Sequence, residues 1–473
     1  MSGTKTYFIK NLGCSKNKTD GSAIEDAFLR HGYALSDSPD RADIVIVNTC
    51  GFIQSARQQS IEAFFELNSI RRKGSKIVLC GCLAQMFHDQ IASELREADA
   101  IIGNFDISGF DSFLESMEED AGRKGISNGD AGCVKFGVGP NEADEQLRSA
   151  HCQPNILTAA VADSPVSVYL KIAEGCDHFC AFCSIPLIRG RFKSFDKGAI
   201  LESMRQAVAA GACEINLIAQ DLLSYGKDSG GKAVVGGFLE LLACMAEIPG
   251  DFKIRSLYMH PDNFDIEIAR FVKKHSDRFL PYFDLAFQHG SDRILKAMAR
   301  AHCADYYAKM VESIRDVLPG SIIRSTFMLG FPGETKSTIK ELETFVKRVR
   351  LEYCGFFRYS REAGTKAFAL KPSYLSGKYL DDEISRIREI CDVISFERLS
   401  RFVGGVFRAI VEEDIGDGVF LCRLPFQAPE VDGICEVRTA GCDAAGAKLK
   451  VGDIVSVRTA GIENDYDFTA EPV

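Results

Sequence analysis

The sequence predicts an α/β protein with a doubly wound parallel sheet at its N-terminus, a central (β/α) partial barrel and a small antiparallel β-barrel at its C-terminus. Three observations support this fold class. The chain has 473 residues, more than one hydrophobic core usually serves. Apolar strand-like runs alternate with amphipathic helical segments up to about residue 402. Beyond that point, short strands are separated by Gly-rich turns.

The first domain is expected to span residues 1–116. Its strand-like and helical segments alternate along the chain: Lys5–Lys10, Ser22–His31, Ala42–Val47, Gln54–Ile70 and Lys76–Leu79. This alternation predicts a parallel sheet with helices on both faces. Residues 117–165 are rich in Gly, Asp and Glu and only weakly periodic, which indicates the end of this domain followed by a linker.

The second domain is expected to span residues 166–402. Six strand-like segments are separated by helical ones: Ser167–Ile172, Glu214–Ala219, Lys253–Met259, Tyr282–Phe287, Ile322–Leu329 and Tyr353–Tyr359. Six βα units of this length fit a partial or full (β/α) barrel, which a charged helix from Asp381 to Phe402 closes. Residues 403–473 are assigned to the small antiparallel barrel.

The composition restricts the compartment and the class of partner. Apolar residues make up 46% and charged residues 26% of the chain, as in ordinary globular proteins. We expect a cytoplasmic protein without membrane contact, because there is neither a signal peptide nor an apolar run of about 20 residues. The 17 cysteines are then metal ligands or small buried residues rather than disulfides. A net charge of −10 argues against a broad nucleic-acid-binding face.

The motif with the clearest chemistry is Cys176-x-x-x-Cys180-x-x-Cys183, on the loop that follows the first strand of the predicted barrel. Active sites of such barrels lie at this end of the strands. Three thiolates in one short loop can hold three irons of a [4Fe-4S] cluster and leave the fourth iron open to a ligand. A zinc knuckle is the alternative, but His178 is poorly spaced to complete a tetrahedron.

Other strand ends of the predicted barrel provide candidate cofactor-binding residues at the same rim. They are Gln220 and Asp221 after the second strand, Gln288 after the fourth, and Gly330, Gly333 and Glu334 after the fifth. The glycines allow the backbone to pass close to a ligand. Each of these residues taken alone is equally consistent with an ordinary turn, and no catalytic residue is assigned.

Three more cysteines follow three successive strands of the first domain. Cys14, Cys50 and Cys82 each come directly after one of them. Because ligands of open α/β sheets bind outside the carboxyl ends of the strands, these thiols are expected to converge on a second cluster. Buried structural cysteines are the alternative. Cys80 is two residues away from Cys82, and Cys82 is preferred because Cys80 lies inside the apolar run.

The loop from Cys176 to Cys183 resembles that of the radical S-adenosylmethionine (SAM) superfamily. The resemblance implies that SAM binds the open iron and is cleaved reductively to a 5′-deoxyadenosyl radical. The three domains together resemble the methylthiotransferase family, whose terminal barrel is a TRAM domain. That resemblance implies two [4Fe-4S] clusters, SAM as both methyl donor and radical source, and an electron donor such as flavodoxin or ferredoxin.

Finer motifs are similar to those of the protein-modifying branch of this family. They are Asp177 within the first cysteine motif, Ser184-Ile185-Pro186 after it, Phe357–Thr365 and Ala428–Gly433. This resemblance implies methylthiolation of the β-carbon of an aspartate in the twelfth small-subunit ribosomal protein. Two departures from the pattern of the branch are Gln427 and the segment Lys18–Ser22.

Charge supports the same branch independently. Residues 403–473 contain six cations and thirteen acids, a surface that repels phosphates and suits a basic ribosomal protein. An ordinary solvated acidic face is the alternative.

Arg189, Arg191 and Lys193 could contact the carboxylate of SAM or the substrate, or form a solvated loop. The rival functions are the same chemistry on tRNA, as in the MiaB-type branch, and a non-catalytic iron–sulfur or RNA-binding protein.

Overall fold

A computed structural model describes residues 4–104, 108–122, 134–136, 166–228, 237–439 and 449–473. Most of the predicted linker, residues 117–165, lies outside these ranges. The elements form two parallel six-stranded sheets, a two-stranded ribbon and one closed barrel. This arrangement confirms the predicted α/β fold class with a terminal β-barrel.

The N-terminal sheet contains six parallel strands in the order β2-β1-β3-β4-β5-β6. The strands are β1 (Thr6–Asn11), β2 (Ala34–Leu35), β3 (Ile44–Thr49), β4 (Lys76–Gly81), β5 (Ala100–Ile102) and β6 (Val134–Phe136). The helices are Ser15–Arg30, Gln54–Ile70, Cys82–Met86, His88–Glu94 and Ser108–Gly122. Apolar clusters cover both faces of the sheet, as the near-continuous apolar run of β3 predicts.

The first helix begins earlier than predicted, at Ser15 rather than Ser22. Its first turns carry polar residues that are nevertheless buried, among them Asn17 and Asp20. Hydrophobic periodicity cannot detect such a segment, because its burial depends on polar contacts with the other parts of the chain. The short helix Cys82–Met86, which directly follows β4, was also not predicted.

The central sheet holds all six predicted strands in the order β14-β13-β12-β11-β10-β7, all parallel and open at both edges, so the barrel is partial. The strands of this region are β7 (Ser167–Lys171), β8 (Ala173–Glu174), β9 (Lys193–Ser194), β10 (Glu214–Ile218), β11 (Lys253–Met259), β12 (Phe279–Leu285), β13 (Ile322–Leu329) and β14 (Tyr353–Arg358). The short strands β8 and β9 form an antiparallel ribbon beside the sheet.

Helices alternate with these strands and pack on the sheet through one large apolar cluster. They are Ile185–Arg189, Lys197–Ala209, Phe238–Ala246, Ile266–Lys274, Asp292–Ala297, Ala304–Val317, Lys336–Val349 and Gly377–Leu399, the last followed by a 3-10 turn at Ser400–Phe402. The predicted closing helix is therefore present and begins at Gly377 rather than Asp381. Among the described helices, none combines the length and the apolar composition that a membrane crossing requires.

The terminal barrel is closed and contains five strands in the order β15-β16-β17-β19-β18. They are β15 (Val406–Gly416), β16 (Val419–Arg423), β17 (Cys435–Arg438), β18 (Ile454–Glu463) and β19 (Asp467–Pro472). The barrel is not wholly antiparallel as predicted, since β17 and β19 pair in parallel. A closed ring with an odd number of strands cannot alternate direction throughout, so one neighbouring pair must run the same way.

The terminal barrel packs against the partial barrel through apolar and charged contacts. One apolar cluster contains Leu257 and Tyr282 of the central sheet together with Val411 and Phe420 of the terminal barrel. Beside it, the buried Glu214 of β10 forms ion pairs with Arg255 at 3.0 Å and with Arg423 at 2.9 Å. Burial opposes ionisation of Glu214, but the Arg423 and Arg255 charges outweigh it and hold its pKa below the ordinary value.

Glu214→Gln is expected to lower the free energy of unfolding by about 3–5 kcal/mol at pH 7, because it leaves two buried guanidiniums without their shared carboxylate. Denaturant unfolding measures the loss. Since the folded pKa is depressed, the stabilisation is present above about pH 4.3 and is lost as the pH falls towards the folded pKa. Asp251→Asn is the matched control, because its pair with Arg408 also joins the two barrels but is exposed. We expect it to cost under about 1 kcal/mol, and equal losses in the two variants would contradict this account.

Candidate active site

The loop with the first three cysteines connects the ribbon strands β8 and β9 at the carboxyl end of the partial barrel. Its backbone is held by hydrogen bonds from several segments. The Cys176 amide donates to the Gly190 carbonyl at 3.2 Å, and the Ala181 amide donates to the Met298 carbonyl at 3.0 Å. The backbone of the loop is therefore held by contacts within the β8–β9 connection and with the end of the helix Asp292–Ala297, and not only through its cysteines.

His178 of the loop packs against His260 and Asp221 of the partial barrel. The rings of His178 and His260 stack with centroids 3.6 Å apart, and His260 Nε2 lies 3.6 Å from Cys180 Sγ. The Asp221 carboxylate bonds to His178 Nε2 at 2.7 Å and accepts a hydrogen bond from the His260 amide at 3.0 Å. Burial, together with Arg300 and His178, lowers the pKa of His260, so this imidazole is neutral beside the thiol.

The donor set of the loop fits an iron–sulfur cluster. Burial raises the pKa of the Cys176 and Cys183 thiols to about 12 and also raises that of Cys180, so a metal must displace protons when it binds. No three described His, Cys, Asp or Glu side chains lie close enough together to hold a single ion. A cubane binds each thiolate to a different iron, so its ligands stand further apart.

The predicted cofactor-binding residues separate into two groups. The side-chain carbonyl oxygens of Gln220 and Gln288 are buried and have no hydrogen-bond partner among the described atoms. The carboxylates of Asp221 and Glu334 are instead already bonded to protein groups. Glu334 accepts from the Gly330 amide at 2.7 Å and bonds to His289 Nε2 at 3.1 Å. Gly330 and Gly333 both have positive φ in the turn after β13. Direct contact of the six residues with SAM stays a prediction, with the two glutamines best placed for it.

Gly175→Ala is expected to lower the iron content of the reconstituted protein and its SAM cleavage severalfold. Gly175 has φ +79°, and a Cβ there would lie 2.1 Å from the carbonyl oxygen of Arg191, so the cysteine loop must shift. Iron per chain and 5′-deoxyadenosine formation measure the effect. Gly211→Ala is the control, because Gly211 has φ +104° but no atom within 4 Å of the added Cβ. It should cost about 1 kcal/mol of stability and leave the iron content unchanged; equal iron loss would contradict the steric explanation.

The structure also brings Cys14, Cys50 and Cys82 together at the carboxyl edge of the N-terminal sheet. Cys14 precedes the helix Ser15–Arg30, Cys50 follows β3, and Cys82 begins the helix after β4. The close approach of the first two loops requires Gly13, where an added Cβ would lie 2.9 Å from Cys50 Cβ. Each thiol lies close enough to the others for their charges to influence one another.

Cys80 points away from this group. Its side chain is buried in the apolar cluster on the other side of β4, and its thiol lies 3.5 Å from the carbonyl oxygen of Val47. The Cys82 sulfur, by contrast, is 3.2 Å from Asn104 Nδ2 and 3.3 Å from Arg189 Nη2. The geometry therefore supports Cys82 as the third member of the second cysteine set.

Arg189 links the two cysteine sets. Its buried guanidinium contacts the sulfur of Cys82, donates to Asp20 at 2.8 Å, and donates to Glu174, two residues before Cys176, at 3.1 Å. Lys171 pairs with both Asp20 and Glu174. Arg189 is thus not in a solvated loop, and its guanidinium is already engaged by protein groups rather than left free for the carboxylate of SAM or for the substrate, the other two roles expected for it. Hydrophobic patterning gave no signal for this interface.

The charges at the second cysteine set differ among its members. Desolvation opposes ionisation of Cys14, but Lys16 and Arg189 outweigh it and lower its pKa. Burial raises the pKa of Cys50 to about 11 and also raises that of Cys82. Lys16 is itself buried, with its ammonium 3.0 Å from the ring centroid of Tyr258. Sequence reasoning did not identify Lys16, although it lies only two residues after Cys14.

Comparisons with known proteins agree with this architecture. Residues 6–103 match the uncharacterized protein family UPF0004, residues 170–346 match the radical SAM superfamily, and residues 403–473 match the TRAM domain. The fold is similar to that of TsrM, a radical SAM methyltransferase from Kitasatospora setae solved with cobalamin and a [4Fe-4S] cluster. The TM-score is 0.55 at 12% identity, over 77% of each chain.

Fold and site together define a radical SAM enzyme, the class that uses an iron–sulfur cluster and SAM. Among curated relatives, a ribosomal protein uS12 methylthiotransferase RimO from Desulfosudis oleivorans is 33% identical over 98% of this chain and 99% of its own. One from Treponema denticola is 35% identical over 98% and 99%. The chain belongs to the RimO family of methylthiotransferases.

Proposed function

We propose that this enzyme transfers a methylthio group to the β-carbon of an aspartate in ribosomal protein uS12, and that it holds two [4Fe-4S] clusters. Cys176, Cys180 and Cys183 would bind the first cluster, and a second set (Cys14, Cys50 and Cys82) would bind the other. The first cluster and SAM together would supply the radical chemistry that removes a hydrogen atom from the substrate. The observation that carries the two-cluster proposal is the pair of three-thiol sites joined through Arg189.

The residues around the thiols have roles of their own in this proposal. His178 and His260, held by Asp221, orient the loop of the first cluster. Arg189 places positive charge at the Cys82 sulfur, where cluster binding adds negative charge. The residue ranges 1–116, 166–402 and 403–473 are our assignments for the cluster, radical and TRAM domains. A one-electron donor such as flavodoxin or ferredoxin would reduce the clusters.

The choice of a protein substrate is supported by the RimO relatives and by charge. The second half of β15 exposes Glu412, Glu413 and Asp414, within a terminal segment that has thirteen acids and six cations. Such a surface favours a basic protein partner over a phosphate backbone, whose binding depends on Lys and Arg contacts.

The test is an anaerobic competition with reconstituted enzyme, SAM and a reductant. The enzyme receives the uS12 loop peptide with its aspartate, the same peptide with asparagine, and an anticodon stem-loop RNA, and mass spectrometry reads all three. We expect a methylthio mass gain on the aspartate peptide alone. Gain on the RNA alone would overturn the proposed substrate in favour of the tRNA-modifying branch. Cys176→Ala serves as the inactive control for background modification.

A further inference from the structure

Lys16 lies where the N-terminal sheet domain meets the partial barrel. It occupies the first turn of the helix Ser15–Arg30, directly after the loop with Cys14. Its ammonium lies 3.0 Å from the centroid of the Tyr258 ring, near the carboxyl end of β11. The neighbouring Ser15 hydroxyl bonds to the Tyr258 hydroxyl at 3.0 Å, which fixes the two elements against each other. Lys16 therefore lies between the second cysteine set and the rim of the barrel.

The Lys16 ammonium has no carboxylate partner within the described part of the chain, although the residue is only 9% exposed. Nearby cations do have partners: Lys18 pairs with Glu430 at 2.7 Å, and Lys171 pairs with Asp20 and Glu174. A buried charge without a counter-ion is costly, and the Tyr258 ring compensates it only in part. Among the described residues, the Cys14 thiol is the anionic group that interacts most with Lys16, and no carboxylate lies at ion-pair distance from the ammonium.

The acids that face Lys16 are already engaged elsewhere. Glu174 pairs with Lys171 and Arg189. Asp284 accepts a hydrogen bond from the Tyr258 amide at 3.1 Å and lies 3.6 Å from Arg324. Both carboxylates are therefore already paired with other cations, and neither lies at ion-pair distance from Lys16. Lys16 therefore remains available to a further anion, which a bound molecule can supply.

We propose that Lys16 binds the carboxylate of the substrate aspartate and so determines the specificity of the enzyme for an acidic side chain. This inference rests on the proposed function. A carbon that receives sulfur from a cluster held by Cys14, Cys50 and Cys82 must come close to that cluster. In aspartate the β-carbon is bonded directly to the carboxylate carbon, so a cation next to Cys14 lies within reach of that carboxylate. An adenine base has no negative charge to occupy the same position.

The test compares binding and modification of the aspartate and asparagine peptides by the reconstituted full-length enzyme. Fluorescence anisotropy gives the two Kd values in the presence of SAM without reductant, and mass spectrometry gives the product with reductant. For the wild type we expect preference for aspartate of roughly 30-fold, the value of one charged hydrogen bond. Lys16→Met should reduce this preference to about twofold or less, whereas Lys16→Arg should keep most of it. The matched control Lys18→Met removes an exposed lysine two residues away and should retain the full preference.

Several outcomes would overturn the inference. They include an unchanged aspartate preference in Lys16→Met, and equal weakening of both peptides, which would indicate a purely structural role. A shift in the reduction potential of the second cluster with the preference intact would show that Lys16 balances cluster charge instead. If the wild type modifies neither peptide, the proposed function fails and the inference with it. If the wild type modifies the aspartate peptide and Lys16→Met discriminates as well as the wild type, only the inference fails.

Discussion

Cys176→Ala is expected to abolish reductive SAM cleavage, to below roughly a thousandth of the wild-type rate, because the cofactor chemistry depends on a cluster that two thiols in this loop cannot hold in place. The loop is anchored independently of the cysteines through the Gly190 and Met298 carbonyls, so the fold should survive. Formation of 5′-deoxyadenosine from SAM and dithionite measures the effect. The electron paramagnetic resonance signal of the reduced first cluster should disappear with it.

The control for this variant is Cys213→Ala. Cys213 lies in the turn before β10, where its thiol is 3.4 Å from the carbonyl oxygen of Gly211 and far in the chain from either cysteine set. SAM cleavage should stay within about twofold of wild type, because a partly exposed thiol with one weak hydrogen bond contributes little to stability. SAM cleavage by Cys176→Ala at the wild-type rate would contradict the assignment of the first cluster to this loop, whatever the control shows.

Cys50→Ala is expected to block methylthio transfer while it leaves SAM cleavage largely intact. SAM cleavage should remain within about threefold of wild type, while the methylthio product falls to below roughly a hundredth, because the second cluster loses one of its three ligands. Iron per chain should fall by about half in parallel, since each cubane contains four irons. Product mass spectrometry, 5′-deoxyadenosine and iron are measured on the same preparation.

Cys80→Ala provides the comparison for Cys50→Ala, since Cys80 is a neighbouring cysteine that faces the apolar cluster instead of the second cysteine set. It should lose about 1–2 kcal/mol of stability through the cavity but retain its iron and its product. Methylthio transfer at the wild-type rate by Cys50→Ala would contradict the second cluster. Loss of product in Cys80→Ala at full stability would show that the wrong cysteine of the pair had been chosen.

The sequence predicted the two cysteine sets for different physical reasons. Cys176, Cys180 and Cys183 are close in the chain, so spacing alone indicates a shared ligand. Cys14, Cys50 and Cys82 are far apart, but parallel strands end at one edge of a sheet, and the structure does bring these residues together there. Both inferences use only local sequence and strand direction, which hydrophobic patterns reveal.

What the sequence could not predict depends on which polar groups meet across the domains. Asp221 and Glu334 follow strands of the partial barrel, where residues that bind ligands also lie. Their carboxylates are nevertheless bonded to protein groups. Asp20 looks like an ordinary solvated helical residue until Lys171 and Arg189 are placed against it. Such partners come from distant parts of the chain, and no periodicity encodes them.

The Arg189 contacts also bear on dividing the chain into separately produced fragments. Asp20, Glu174, Lys171 and Arg189 balance one another's charge in a buried group that spans the two cysteine sets. A fragment that starts at residue 166 lacks Asp20 and leaves one uncompensated positive charge at a surface formerly covered by the helix Ser15–Arg30. Such a fragment would expose this face to water and lose the rigid setting of the loop between Glu174 and Arg189. The two domains therefore form one catalytic unit, and neither domain alone reproduces its properties.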